Sequence, residues 1–370
     1  VVTAPEPGPS GGPFAGLRPG AAITGIGVAL PPSARQDDLW DGFFSGHYAG
    51  PRAALARRIF ANSGVRTRQS VVSPLLEDVS GWSTEQRMLR YQAEAIPLGK
   101  AAVSRALESA GLAAGDLGFF AVCSCTGYAT PGLDILLARD LGMSPSVQRL
   151  FIGHMGCYAA LPGLGTVGDY VTARGRPGLL LCVELTSLHL QPPAARTDIQ
   201  QIVSHALFAD AAAAVVVTPQ TDSGYVVREV AAITDTSTAD HMTWDVTDLG
   251  FRMGLSPKVP SVLAAHVREL VLEVLGRHRL GLADVGGWAV HPGGPKILDV
   301  VQDRLGLDDT ALADSRGVLA AYGNCSSPTV LLALDELLRA PDPPRSIVML
   351  AFGPGLTLYV TLLEASTLAA

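Results

Sequence analysis

A displacement of 168 residues recurs along this 370-residue chain and constrains its fold more than any other feature. Asp116 and Asp284 stand 168 positions apart. Each precedes an apolar residue, a glycine and an aromatic–Ala–Val strand: Phe120-Ala121-Val122 in one case, Trp288-Ala289-Val290 in the other. Cys157 and Cys325 share the displacement, and both open helix-like stretches, CYAALPGLGTVGDYVTARG and CSSPTVLLALDELLRA. Cys182 and Leu350 share it too, inside the apolar strands GLLLCVEL and SIVMLAFG. Long helical patterns, TEQRMLRYQAEAIPLGKAAVSRALESAG and PSVLAAHVRELVLEVLGRHRLG, precede the first pair of strands. Generic helix–strand alternation would reproduce the spacing but not the shared residues. The pattern predicts a duplicated α/β unit whose halves pack as one body.

Composition agrees with a large buried core. Apolar residues make up 48% of the chain and charged residues only 16%, which excludes disorder for most of it. The net charge of −7 argues against a nucleic-acid or anionic-membrane partner. Cys123, Cys125, Cys157, Cys182 and Cys325 are odd in number and form no CxxC pair, so neither a disulfide framework nor a zinc site is expected, and reduced thiols in a cytoplasm fit better. Apolar runs such as AAAAVVV at 211–217 are too short to span a bilayer. Residues 1–21, rich in Pro and Gly, read as a flexible tail. The two halves are then expected over 22–220 and 221–370.

Three residues fall where such a duplication converges, at strand ends and helix starts: Cys157, His291 and Asn324. A cysteine is nucleophilic as thiolate, and a helix start and an imidazolium both favour that form. An imidazole and an amide together can hold a developing oxyanion or enolate. Each residue also has a plain structural reading. Cys157 suits a buried core position, His291 in HPGG could cap the next helix, and Asn324 in YGNCSS could do the same. The other histidines show no metal spacing, and AFGPGLT at 351–357 lacks the pattern of a phosphate-binding loop.

Five ordered motifs resemble the type III polyketide synthases, the chalcone-synthase-like branch of the thiolase superfamily, over roughly residues 22–365. They are GCYAA, ALFADAAAAVVV, WAVHPGGPKILD, YGNCSSPTVLLALDE and AFGPGLT, the last with Ala351 in place of a glycine. The resemblance implies an α/β, duplicated thiolase-like fold of five αβαβα layers, a homodimer, no metal or cofactor, and an acyl-CoA starter extended by malonyl-CoA. It implies Cys157 as the acyl-holding nucleophile, His291 as its ion-pair partner and donor, and Asn324 as second donor. Phe208 and Met253 fall at the gatekeeper positions, and Arg58 at a CoA-phosphate position, with Asn62 where a lysine is usual.

Cavity positions depart from the plant pattern. Trp244 takes the place of a glycine and should narrow one wall. Thr130 and Cys125 are expected to open another tunnel for an aliphatic acyl chain. His189 reads either as an acid/base for cyclisation or as a wall histidine in a structural hydrogen bond. The expected product is a pyrone or resorcinol-type compound. A ketoacyl-ACP synthase III-like enzyme that condenses once, and a non-catalytic homologue, are the competing readings.

Overall fold

The computed structural model describes residues 20–366 apart from 49, 51, 52 and 193–198, and 221. The expected tail over 1–21 lies outside the described residues except for its end, where Ala21 already belongs to a strand.

From the amino end run β1 (Ala21–Ala29), β2 (Ser33–Arg35), the short α1 (Gln36–Leu39) and α2 (Ser45–His47), α3 (Ala53–Ala61), β3 (Thr67–Gln69) and the long α4 (Thr84–Ala110). Then come β4 (Phe119–Cys123), α5 (Leu133–Asp140), β5 (Gln148–Ile152), α6 (Ala160–Arg174), β6 (Gly178–Leu185), α7 (Ile199–Leu207) and β7 (Asp210–Pro219). The rest holds β8 (Tyr225–Thr234), the hairpin of β9 (Met242–Thr247) and β10 (Gly250–Leu255), and α8 (Val259–Arg277). It ends with β11 (Gly287–Val290), α9 (Pro295–Leu305), α10 (Ala313–Tyr322), α11 (Pro328–Leu338), β12 (Ser346–Gly353) and β13 (Thr357–Ala365).

The repeat is written into this order. β4 and β11, α6 and α11, and β6 and β12 each start 168 residues apart. Strand pairing repeats as well: β4 lies parallel to β6 as β11 does to β12, while β6–β7 and β12–β13 are antiparallel. The main sheet runs β11-β12-β13-β8-β1-β7-β6-β4-β5, so the second unit meets the first in mirror order at β8 and β1. The join is thin, with only Ala22 facing Val226 and Ile23 facing Tyr225.

Packing divides the molecule into five layers. Tyr91, Val103 and Leu107 of α4 cover one face of the first unit's strands, against Phe120, Leu181 and Val216. The opposite face, with Ala121, Leu180 and Val215, packs on Leu164 and Val167 of α6 and on Val330 and Leu331 of α11. Ile347 and Met349 of β12 close that central layer from the other side. Val267 and Val271 of α8 then cover Val348, Leu350 and Val360 on the outer face. Strands buried on both faces have to be almost wholly apolar, and every residue of β4, β6 and β12 is buried. Among the described residues, no helix is long and apolar enough to cross a membrane.

α4 is specified at both ends. The Ser83 hydroxyl accepts from the Gln86 amide at 3.3 Å, and Gln86 Oε1 accepts from the Ser83 amide at 2.8 Å. Gly111 closes the helix at φ 64°. Its close seating on β1 depends on glycine. A Cβ at Gly27 would lie 2.2 Å from the Ala102 carbonyl oxygen, and one at Gly25 would lie 2.4 Å from that of Ala106.

Replacing Gly27 by alanine is therefore expected to lower the unfolding free energy by about 3 kcal/mol, as α4 is pushed off the sheet. Gly276→Ala in α8, where an added Cβ meets nothing within 4 Å, should instead be neutral or stabilise by about 0.5–1 kcal/mol. Denaturant titration of both variants checks this, and equal stabilities would contradict the tight β1–α4 contact.

Candidate active site

After β5 the chain turns through Gly156 at φ 70°, then through the single 3-10 turn Gly156–Tyr158, before α6 begins at Ala160. This places the Cys157 side chain at the amino end of α6, buried to 6% exposure. The glycine-rich segment after β12 closes over the turn. A Cβ at Gly353 would stand 3.5 Å from the Cys157 amide nitrogen and 2.9 Å from the Tyr158 ring, and one at Gly156 would stand 3.0 Å from Pro354. AFGPGLT thus acts as a cover for Cys157, a use its sequence alone did not disclose.

His291 follows β11. Its amide donates to the Leu350 carbonyl at 2.7 Å, and its ring meets Phe352 edge-on at 5.7 Å. The capping alternative does not apply, since α9 starts from Gly294 without a side-chain cap. The imidazole is fully buried, and neither Nδ1 nor Nε2 has a hydrogen-bond partner. Burial pushes its pKa down to about 3.

Asn324 is fixed by its backbone. Its amide donates to the Leu207 carbonyl at 2.8 Å, and its carbonyl accepts from the Ala209 amide at 2.9 Å, which sets it beside Phe208 in a parallel bridge. Oδ1 accepts from the Ser326 amide at 2.9 Å, a local turn and not a cap of α11, which begins at Pro328. The Ser326 hydroxyl in turn reaches the Cys157 thiol. The three candidates are thereby linked through Phe352–Gly353 and through Ser326. Burial raises the Cys157 thiol to about 12; the Ser326 hydrogen bond opposes this, and the charge of Glu184 adds to it. Burial works against the charged form of both the thiol and the imidazole.

Cys157 opens on a cavity of about 140 Å³ lined also by Cys125, Phe208, Trp244, Met253 and Ser326. Trp244 and Met253 face each other across the β9–β10 hairpin. The indole Nε1 donates to the Cys125 carbonyl at 2.8 Å, and the ring stands edge-on to His189 and Phe251. A second cavity of about 60 Å³ lies beyond, and Thr186, Phe208, Trp244 and Met253 line both. Trp244 narrows the chamber, in the sense the sequence predicted, by forming part of a wall between two spaces.

Three other candidate residues lie outside the lining of the Cys157 chamber. His189 lines the second cavity, but both its nitrogens are engaged: Nε2 donates to the Thr126 carbonyl at 2.6 Å, and Nδ1 accepts from the Phe251 amide at 3.0 Å. Burial lowers its pKa to about 3, and with both nitrogens engaged it fits the wall histidine in a structural hydrogen bond, the second of its two readings. Thr130 is exposed and lines neither of these two cavities; Gly132, two residues on, lies near Phe151 of β5. Arg58 is exposed on α3 and also lines neither cavity.

Sequence reasoning missed Glu184. This fully buried carboxyl on β6 accepts from the Cys125 amide at 3.0 Å, the Thr126 hydroxyl at 2.7 Å and the Ser327 hydroxyl at 3.1 Å. Burial raises its pKa to about 7, against the pull of those donors. Its signal was present in GLLLCVEL, where a lone acid interrupts a buried strand. Ser326 gave no signal among ordinary serines. Among the described residues, no three His, Cys, Asp or Glu side chains converge as a metal site.

With this geometry in hand, the comparisons are informative. Residues 16–221 match the N-terminal domain of chalcone and stilbene synthases, and residues 231–367 match the C-terminal domain. A 1,3,6,8-tetrahydroxynaphthalene synthase of Streptomyces peucetius subsp. caesius is 34% identical over 358 residues, 93% of each chain. An alpha-pyrone synthesis polyketide synthase-like protein of Mycobacterium tuberculosis is 32% identical over 315 residues, 81% of this chain and 79% of the relative. The crystal structure of PKS-I from the brown alga Ectocarpus siliculosus superposes with a TM-score of 0.86 at 29% identity, covering 94% of this chain and 98% of that one.

Proposed function

The chain belongs to the chalcone and stilbene synthase family of type III polyketide synthases, which are acyltransferases, and we propose that it loads an acyl-CoA starter on Cys157 and extends it with malonyl-CoA. Family membership decides against the carrier-protein-dependent, single-condensation alternative. The observation that carries the residue assignment is His291. Among the described residues this fully buried imidazole has two unpartnered nitrogens, and its ring meets Phe352, next to the Gly353 that packs on the Cys157 turn, so its donor and acceptor capacity is unspent.

In the loading step, Cys157 sulfur bonds to the starter carbonyl carbon and the carbon–sulfur bond to CoA breaks. His291 takes the thiol proton and returns it to the departing CoA thiolate. Burial penalises either ion alone, which favours a direct exchange of the proton over a long-lived single charge. Malonyl-CoA then loses CO2 to leave an enolate. The His291 N–H and the Asn324 Nδ2 hydrogens hold its oxygen, in a chamber dry enough for such donors to act strongly. A low imidazole pKa helps here, because the donor stays neutral and keeps its proton. The enolate carbon bonds to the acyl carbon and the carbon–sulfur bond to Cys157 breaks; the thiolate so formed, which carries the charge of the lost carboxylate, takes one proton from solvent by way of His291.

The chamber also bounds the starter. A cavity near 150 Å³ accommodates a benzene-sized group. The 140 Å³ beside Cys157 therefore suits a short acyl unit, not a long aliphatic chain. Cyclisation to a pyrone or resorcinol-type product follows within the same walls. Arg58, exposed on α3, is proposed to meet a CoA phosphate. All five cysteines are free thiols, in keeping with a cytoplasmic setting. A homodimer is proposed through β5, the last strand of the sheet, whose free edge carries exposed Leu150 and Phe151.

Incubation with short acyl-CoAs and malonyl-CoA, without carrier protein, should give cyclised polyketides by mass spectrometry; CoA release without chain extension would sink the assignment. The pH profile of Cys157 alkylation should move upward in His291→Gln, because burial then opposes the thiolate without a proton acceptor beside it. Coincident profiles would remove His291 from proton transfer. Sedimentation should show a dimer that becomes a monomer in Leu150→Lys/Phe151→Lys, and a monomeric unmodified protein would refute the β5 interface.

A further inference from the structure

The second cavity carries a chemistry that the condensation does not use. Arg68, on β3, lines it and is 7% exposed. Among the described residues Arg68 forms no ion pair. Nη1 donates to the carbonyls of His205 and Phe208, and the guanidinium packs over the Phe44 and Phe60 rings at 5.5 and 5.9 Å. Nε has no hydrogen-bond partner among the described residues. Burial lowers the pKa only to about 10, so the group stays charged at neutral pH. Buried charges are normally paired, and a guanidinium offers a fork matched to a carboxylate.

The surroundings fit an anion. Among the described residues no aspartate or glutamate lines the cavity, and a second arginine, Arg252, does. Ser70 and Ser204 add hydroxyls. Asp210 lies close enough to favour the charged Arg68, but its carboxylate is taken up by the Val71 amide, the Ser187 amide and hydroxyl, and the Thr186 hydroxyl. About 60 Å³ is room for a carboxylate and little more. Phe208, Trp244 and Met253 touch both cavities, so the wall between this space and the Cys157 chamber is one side chain thick. Met253 is its flexible member.

We propose that this cavity is a carboxylate subsite, which receives the far end of a dicarboxylic acyl group held on Cys157 and so selects ω-carboxylated starters over neutral ones. The inference rests on Cys157 as the acyl carrier, and it names the class of starter.

Competitive loading tests it. Equimolar glutaryl-CoA and pentanoyl-CoA, equal in carbon count and different in charge, are offered to the full chain, and the acyl adducts on Cys157 are read by intact-protein mass spectrometry. Glutaryl adducts should exceed pentanoyl adducts at least tenfold. The ratio should fall to within about twofold in Arg68→Met. It should fall likewise in Ser70→Asp, which supplies a resident counter-ion at a half-buried position and leaves the Arg68 helix-end contacts intact. Free glutarate at millimolar concentration should lower glutaryl loading in the unmodified protein more than it lowers pentanoyl loading. A ratio near one in the unmodified protein, or a ratio that persists in Ser70→Asp, overturns the subsite. Polyketide formation after malonyl-CoA addition is scored separately: selective loading without extension would count against the proposed function and leave the subsite standing.

Discussion

Two backbone hydrogen bonds hold the site together. The Asn324 amide meets the Leu207 carbonyl, and the Ala209 amide meets the Asn324 carbonyl. Leu207 and Ala209 belong to the first unit and Asn324 to the second. Through this bridge Asn324 is held beside Phe208, which lines the chamber. Close approach is possible because Gly323, at φ 75°, has no Cβ, which would lie 3.0 Å from both Ala209 Cβ and the Leu207 carbonyl oxygen. Arg68 binds the Phe208 carbonyl from below. The Ser327–Glu184 hydrogen bond ties the same two units a few residues farther on. The thin β1–β8 join leaves orientation of the halves to the packed central layer and to such cross-links.

Burial sets the chemistry as firmly as geometry does. Cys157, His291 and Glu184 each lie where their charged form is disfavoured. That resting neutrality suits a reaction in which charge appears and moves as thioester exchange and decarboxylation proceed. Donors that are neutral and already in place need no reorganisation when the enolate forms. The same dryness makes the unpaired Arg68 conspicuous, because the molecule elsewhere satisfies or neutralises its buried ionisable groups.

Much of the architecture was legible in the sequence because repetition leaves residues as well as spacing. Asp116 and Asp284, Cys157 and Cys325, and the largely apolar β6 and β12 carry the duplication in the sequence itself. Local pattern also gave α4, whose capping box and closing glycine are short-range signals. Cys157, His291 and Asn324 were legible as residues at element ends. Their electrostatic state was not, since a thiol's desolvation depends on what packs over it, here Gly353 and Pro354 from a segment nearly 200 positions away.

His189 and Thr130 show the opposite case. Sequence position placed both on a cavity wall. Folding gave the first two hydrogen bonds that fix it as a neutral spacer, and it left the second on the surface beside the edge strand. Glu184 and Arg68 were invisible for a related reason: an acid in a strand and an arginine in a short one acquire meaning only from their surroundings. By itself, the sequence determined the repeat, the layered α/β class and the identity of the three candidate catalytic groups, because apolar periodicity and element ends are local properties. Only the tertiary structure decided which groups are charged, how the chamber is divided at Trp244, and what lies behind it, because desolvation and cavity shape are set by contacts between residues far apart in the chain.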